Sequence, residues 1–248
     1  MRVAVVGGTG VAGRRVVAAL KDAGHEAVVL ARSAGVDVVK PSGLDEALAG
    51  VDAVIDAGNL ATQSRRKAVT FFTAATENLL AAEKRAGVGH HIVLSIVGID
   101  RVDTGYYAGK RRQEELALAG PIPCSVLRAT QFHDFPGQML ERMPGPVALM
   151  PKMRTQPVAV TEVAAALVAL AEQAPVGMAP ELAGPQQESL PDLARRVLKK
   201  QGSRRRVLPV RLPGAAGRAM AEGALLPTAA GPRGRETFDE WLTAQVLV

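Results

Sequence analysis

An apolar run that breaks into spaced glycines at the start of the chain constrains the fold more than any other stretch. It reads Val3-Ala-Val-Val-Gly7-Gly-Thr9-Gly10-Val11-Ala-Gly13. Residues 3–6 suit a buried parallel strand, and the helical pattern that follows runs on to Leu20. A glycine turn at such a corner lets the backbone come close to a pyrophosphate. The helix then aims its first unpaired N–H groups and the positive end of its dipole at that anion. Gly7 opens the turn, Gly10 keeps a Cβ out of the phosphate path, and Gly13 lets helix and strand pack closely, with Thr9 and Val11 in the same cradle. The context predicts dinucleotide binding, and a tight turn with no ligand is the alternative.

Strand and helix patterns alternate through the first half. Strands are predicted at 3–6, 27–30, 36–39, 52–56, 91–95 and 125–127, and helices at 11–23, 44–49, 64–86 (stopped by Gly87) and 106–119. This rhythm predicts an α/β fold with a doubly wound, Rossmann-type parallel sheet. Residues 1–130 form the dinucleotide-binding region in this reading, and 131–248 a C-terminal substrate-binding extension packed on the same domain. Beyond 130, Pro and Gly become frequent. Helices are expected at 161–173, with Thr161 as N-cap, at 190–200, and at 236–244, where Trp241 serves as a packing anchor. The Gly, Ala and Pro of 212–234 suggest a mobile loop or lid.

Composition narrows the class. Of 248 residues, 48% are hydrophobic and only 3% aromatic, so the core must be mostly Val, Leu and Ala, as parallel strands under helices require. A lone cysteine, Cys124, allows no internal disulfide and reads as buried and inert. No secretion signal is visible, and the longest apolar run, 163–171, is half the roughly eighteen residues a membrane span needs. A cytoplasmic chain without a membrane partner is expected, and the oligomeric state stays open. The net charge of +6 belongs to one segment, 195–211, with eight Lys or Arg and no acid. It carries no interleaved aromatics, which argues against nucleic acid and for the solvated face of a helix and its turn.

The end of the second strand speaks to the cofactor. Leu30-Ala31 is followed by Arg32 and Ser33, with no acidic residue before Asp37. An acid there suits a free ribose 2′-hydroxyl, whereas a guanidinium fork and a hydroxyl suit a 2′-phosphate, so NADP(H) is favoured over NAD(H). Tyr106 and Lys110 are four apart and share a helix face, though Gly105 and Gly109 weaken that helix's first turn. Gln131, Phe132 and His133 follow the sixth strand at the carboxyl edge of the sheet, where a small-molecule substrate would sit. His133 has an acid–base role or a structural one. The remaining histidines lack metal-ligand spacing, and no metal site is expected.

Gly7-x-x-Gly10-x-x-Gly13 resembles the fingerprint of extended and atypical short-chain dehydrogenases/reductases. Residues 81–95, ending in Ser95, and Tyr106-Tyr-Ala-Gly-Lys110 resemble that family's approach to the fifth strand and its Tyr-x-x-x-Lys helix. Residues 127–133 and 237–242 are similar to the NmrA-like branch. The resemblance implies a nicotinamide cofactor, Tyr106 as proton donor or acceptor, Lys110 lowering its pKa while holding the nicotinamide ribose, and Ser95 polarising a substrate carbonyl. It also implies that Ala57, Gly58 and Asn59 pass beneath the riboses. Which of Tyr106 and Tyr107 faces the nicotinamide stays open, and Thr62, Gln63 and Ser64 either border it or cap a helix. The expected activity is an NAD(P)H-dependent oxidoreductase acting on a small or aromatic carbonyl, quinone or polyketide-like substrate. The alternatives are a non-catalytic dinucleotide-sensing regulator and a polyketide-tailoring oxygenase.

Overall fold

The computed structural model describes residues 1–245. In chain order the elements are β1 (Arg2–Val6), α1 (Val11–Asp22), β2 (Glu26–Leu30), α2 (Leu44–Leu48), β3 (Ala53–Asp56), α3 (Arg65–Ala86), β4 (His90–Ile96), α4 (Gly105–Leu118), β5 (Cys124–Ala129), α5 (Phe135–Glu141), β6 (Val147–Pro151), β7 (Arg154–Thr155), α6 (Val160–Ala171), β8 (Gly177–Met178), β9 (Glu188–Ser189), α7 (Leu190–Lys200), β10 (Arg206–Val210), α8 (Gly214–Ala221) and α9 (Phe238–Ala244). They divide into two compact units.

The first unit comprises Met1–Ser95, Thr104–Arg128 and Val160–Pro180. Its six-stranded sheet runs β2-β1-β3-β4-β5-β8, and α1 packs on α6 while α3 packs on α2 and α4. This is the doubly wound parallel sheet that the alternation predicts. The strands are apolar runs buried on both faces: Val3, Ala4, Val5, Val54, Ile55, Ile92 and Val126 are all fully inaccessible. The caps of α3 fall where the sequence places them. The Ser64 hydroxyl accepts the Lys67 N–H, and Gly87 closes the helix in the left-handed region at φ +72°.

Two expectations need correction here. No strand forms at 36–39. Asp37 Oδ1 accepts the N–H groups of Val39 and Lys40, curling the chain into a turn, and Asn78 Nδ2 holds the carbonyls of Val38 and Val39. The sixth strand is instead β8, reached after the chain has left this unit and returned through α6. That helix begins at Val160, so Thr161 lies inside it and does not cap it.

The second unit comprises Ile96–Asp103, Ala129–Ala159 and Glu181–Val248, of which the last three residues lie outside the described chain. It holds two small sheets, parallel β10–β6 and antiparallel β7–β9, with α7 laid against β6 and β10. Within 212–234 an ordered helix, α8, stands where a loop or lid was expected, and Gly98 abuts the Ala224 carbonyl just beyond it. A capping box of Thr237 and Glu240 starts α9, and Trp241 packs on Phe238 and His133, the anchoring expected of it. Much of the basic segment is tied down: Arg195 pairs with Asp192, Arg196 with Glu188 and Asp239, and Arg205 donates to the carbonyls of Leu140, Met143 and Gly145.

Candidate dinucleotide site

The glycine corner is built as its spacing implies. Gly7 adopts φ +68°, a conformation that side chains rarely tolerate, and its carbonyl accepts the Gly10 N–H at 2.8 Å. Gly13 lies so close that a Cβ there would stand 2.1 Å from the Gly7 carbonyl oxygen. Gly10 sits at the N-cap of α1, and Thr9, Gly10 and Val11 are exposed, so the first N–H groups of the helix open outward. A Cβ on Gly7 would approach the Ala57 carbonyl at 3.0 Å and Gly58 Cα at 3.2 Å. The Ala57-Gly58-Asn59 segment leaving β3 therefore lies directly against the turn. Arg32 and Ser33 are exposed in a short 3-10 turn after β2.

Helix α4 brings the side chains of the site to that segment. A Cβ on Gly105 would stand 2.1 Å from the Gln63 carbonyl, and one on Gly109 would strike Phe72 and Ala68 at 2.7 and 2.8 Å. These glycines, which weaken the helix in isolation, are what allow α4 to press onto α3. Tyr106 then donates its hydroxyl to Asn59 Oδ1 at 2.8 Å, its ring 6.2 Å from that of Phe72. Tyr106, and not Tyr107, reaches the 57–59 segment. Ser64 caps α3, while Thr62 accepts the Ser64 N–H, so these two residues order the loop.

Lys110 departs from expectation. Its ammonium is buried, donates to the Leu94 carbonyl at 2.7 Å and to Gln113 Oε1, and lies 5.0 Å from the centre of the Phe72 ring. Gln113 in turn donates to Asp56 Oδ2 at 2.7 Å, and Asp56 Oδ1 accepts the Gly58 N–H at 2.8 Å. Burial lowers the Lys110 pKa to about 8, with the carboxylates of Asp56 and Glu114 opposing the shift. Burial also pushes the Tyr106 phenol up to about 12, so the expected lowering by a neighbouring ammonium is not made in this conformation. Gln113 and Asp56 were missed in the sequence. The available signals were a glutamine three residues after the lysine on one helix and a carboxylate closing an apolar strand.

The other candidates separate. Ser95 is buried at the end of β4, and its hydroxyl has no hydrogen-bond partner among the described residues. In the second unit, Gln131 Oε1 accepts the Thr155 hydroxyl and Phe132 pairs with Val158. His133 is fully buried, its Nε2 on the Glu236 carbonyl and its ring packed against those of Phe238 and Trp241, which fits the structural one of its two expected roles. Cys124 is buried, and that burial raises its thiol pKa. No His, Cys, Asp or Glu cluster of metal-binding size occurs among the described residues, and no described helix is long and apolar enough to cross a membrane.

The comparisons with known proteins agree with the corner. The model of the NAD(P)H-binding family matches residues 7–174, and the chain belongs to that family. It is similar to the photosystem II assembly factor Ycf39 of Synechocystis (36% identical over 114 residues, 39% of this chain and 34% of the relative). It is also similar to the (4-alkanoyl-5-oxo-2,5-dihydrofuran-3-yl)methyl phosphate reductase of Streptomyces griseus (30% over 142 residues, 52% and 47%). The matched stretch thus spans less than half the length of either relative. The fold resembles the NADPH-dependent quinone oxidoreductase of Escherichia coli (TM-score 0.69, 17% identical, 97% of this chain and 98% of that one). The fold also resembles a short-chain dehydrogenase/reductase superfamily protein of Agrobacterium tumefaciens (TM-score 0.71, 17% identical, 98% of this chain and 95% of that one).

The residues present fit a dinucleotide. Thr9, Gly10 and Val11 lie exposed at the start of α1, where a Cβ on Gly10 would meet only the Gly7 oxygen, at 3.2 Å, and the Ser95 hydroxyl is a buried polar group without a hydrogen-bond partner among the described residues.

Proposed function

We propose that the chain is an NADP(H)-dependent reductase of a small or aromatic carbonyl or quinone. The observation that carries this reading is the Tyr106 hydroxyl, held at 2.8 Å on Asn59 of the segment packed against the glycine turn. The N–H groups of Thr9 and Val11 would hold the pyrophosphate beside the Cβ-free Gly10, Ala57, Gly58 and Asn59 would border the riboses, and Arg32 and Ser33 would take the 2′-phosphate. Bound there, a reduced nicotinamide supplies a hydride. Tyr106 would supply the proton, its phenol being protonated at neutral pH. Ser95 would polarise the carbonyl. The names of two similar proteins, a furanone phosphate reductase and a quinone oxidoreductase, support a conjugated carbonyl substrate. No residue singles out a polyketide or an oxygenation.

The test is turnover of NADPH with a panel of quinones and aromatic carbonyls, followed at the reduced nicotinamide band. Tyr106→Phe is expected to lower the rate about 10²–10⁴-fold while leaving NADPH affinity near that of the parent. An unchanged rate removes Tyr106 from the chemistry. Arg32→Ala is expected to weaken NADPH about 10–100-fold, the worth of a charge-assisted bidentate contact, and to leave NADH unaffected. Equal calorimetric affinities of parent and variant for NADPH would discard the 2′-phosphate contact.

A second reading, a non-catalytic dinucleotide-binding regulator, is favoured by one observation: the Lys110 ammonium is engaged by Leu94 and Gln113 and not by Tyr106. The similarity to an assembly factor points the same way. Tight NADPH binding with no turnover on any acceptor would select it.

A further inference from the structure

Four large hydrophobic side chains are exposed on one small sheet and its exit: Val147, Leu149, Leu208 and Leu212. In the β10–β6 pair the register sets Leu208 directly opposite Leu149, and they are 51% and 55% accessible. Their strand neighbours Ala148, Met150 and Val207 are buried on the face that α7 covers. The outer face is therefore an uncovered apolar ridge, and alternation along the strands leaves no freedom to turn it inward.

The stretches of chain that form it are strongly basic, with Glu141, Glu162, Asp192 and Glu222 adjoining their ends. Segments 142–161 and 193–221, which supply both strands, contain twelve Lys or Arg and no Asp or Glu. Several of these cations are used internally, but Arg204, Arg206 and Arg211 are exposed and form no ion pair among the described residues. Arg206 stands in register with Val147 at the end of the ridge. A second copy of this chain would bring arginine against arginine. Single-stranded nucleic acid would leave two leucines without use, since its bases stack on aromatic side chains. A protruding aliphatic pair framed by cations matches a medium that can be penetrated and is negatively charged.

We propose that the outer face of the β6–β10 sheet is a peripheral docking surface for an anionic lipid surface. Leu149 and Leu208 enter the boundary between headgroup and acyl chain, while Arg204, Arg206 and Arg211 meet lipid phosphates. Such contact needs no membrane-spanning helix. It acts through the second unit alone and does not depend on what the glycine corner binds.

The test is flotation of the full chain with vesicles of phosphatidylglycerol and phosphatidylcholine, against phosphatidylcholine alone. The expected result is binding to the anionic vesicles only, weakening as salt rises. Each surface cation removed should lower the affinity about fivefold. Arg204→Glu with Arg206→Glu, and separately Leu149→Ser with Leu208→Ser, should both release the protein while keeping the parent's thermal unfolding midpoint. Should either pair fail to fold, the salt titration of the parent still decides. Absence of flotation at low salt, equal flotation with neutral vesicles, or salt-independent binding each overturns the proposal. So does a concentration-dependent dimer that the leucine substitutions dissolve, or binding to duplex DNA without binding to vesicles.

Discussion

Gly13→Ala is expected to abolish NADPH binding and to destabilise the protein by about 3 kcal/mol, the upper range for forcing an atom into a packed interior. The added methyl would stand 2.1 Å from the Gly7 oxygen and 2.6 Å from its carbonyl carbon, both backbone atoms that no rotamer change can move. Helix α1 would have to lift from β1, taking the first N–H groups away from the phosphate path. Gly10→Ala separates the two effects. Its Cβ would meet only the Gly7 oxygen at 3.2 Å, so the cost to folding should stay below about 1 kcal/mol. The same methyl projects at the exposed mouth of the turn, and NADPH should bind about 10–100-fold more weakly. Denaturant unfolding and calorimetric titration of both variants read these outcomes. A Gly13→Ala protein that binds NADPH like the parent would remove the corner from the binding site.

The glycine corner, the sheet and the limits of α3 were legible because each depends on local chemistry. Gly7 needs a positive φ, Ser64 and Gly87 cap a helix, and apolar runs must be buried. What sequence did not reveal depends on partners distant in the chain. Residues 36–39 have the composition of a strand, yet Asp37 and Asn78 satisfy their backbone groups in a turn. Gly105 and Gly109 look like defects in a helix until Gln63, Ala68 and Phe72 are seen to occupy the space a side chain would need. Lys110 lies on the helix face that its spacing from Tyr106 implies, but its bonding through Gln113 to Asp56, with 57 positions between those two, leaves no pattern. His133 lies in the stretch that its place at the sheet's carboxyl edge assigns to a pocket, and its ring cluster with Phe238 and Trp241, more than 100 positions away, leaves no local pattern.

An equally large effect on stability should come from a pair that no sequence pattern announces. Glu83 of α3 and His91 of β4 are wholly inaccessible, with Oε1 and Nδ1 2.8 Å apart. Burial raises the Glu83 pKa against the pull of His91, while Glu83 and the nearby Asp56 raise that of His91 against the opposing effect of its own burial. Both shifts favour keeping a proton on the pair. In the unfolded chain the glutamate ionises near 4.5 and the imidazole loses its proton near 6.5. Above pH 6.5 the folded state therefore holds more protons than the unfolded state, and stability must fall as pH rises toward the raised folded pKa of the pair. Below 6.5 that contribution is fully present. His91→Leu strands a carboxyl in the interior and should cost about 3 kcal/mol, because one partner of a buried pair is removed and the other is left without compensation. With His91 gone, nothing opposes the burial that keeps Glu83 protonated, so the decline of stability should begin from about pH 4.5 and no longer from 6.5, measured by urea unfolding at a series of pH values. A variant whose decline still begins at 6.5 would show that the proton resides elsewhere, and the assignment to Glu83 and His91 would not stand.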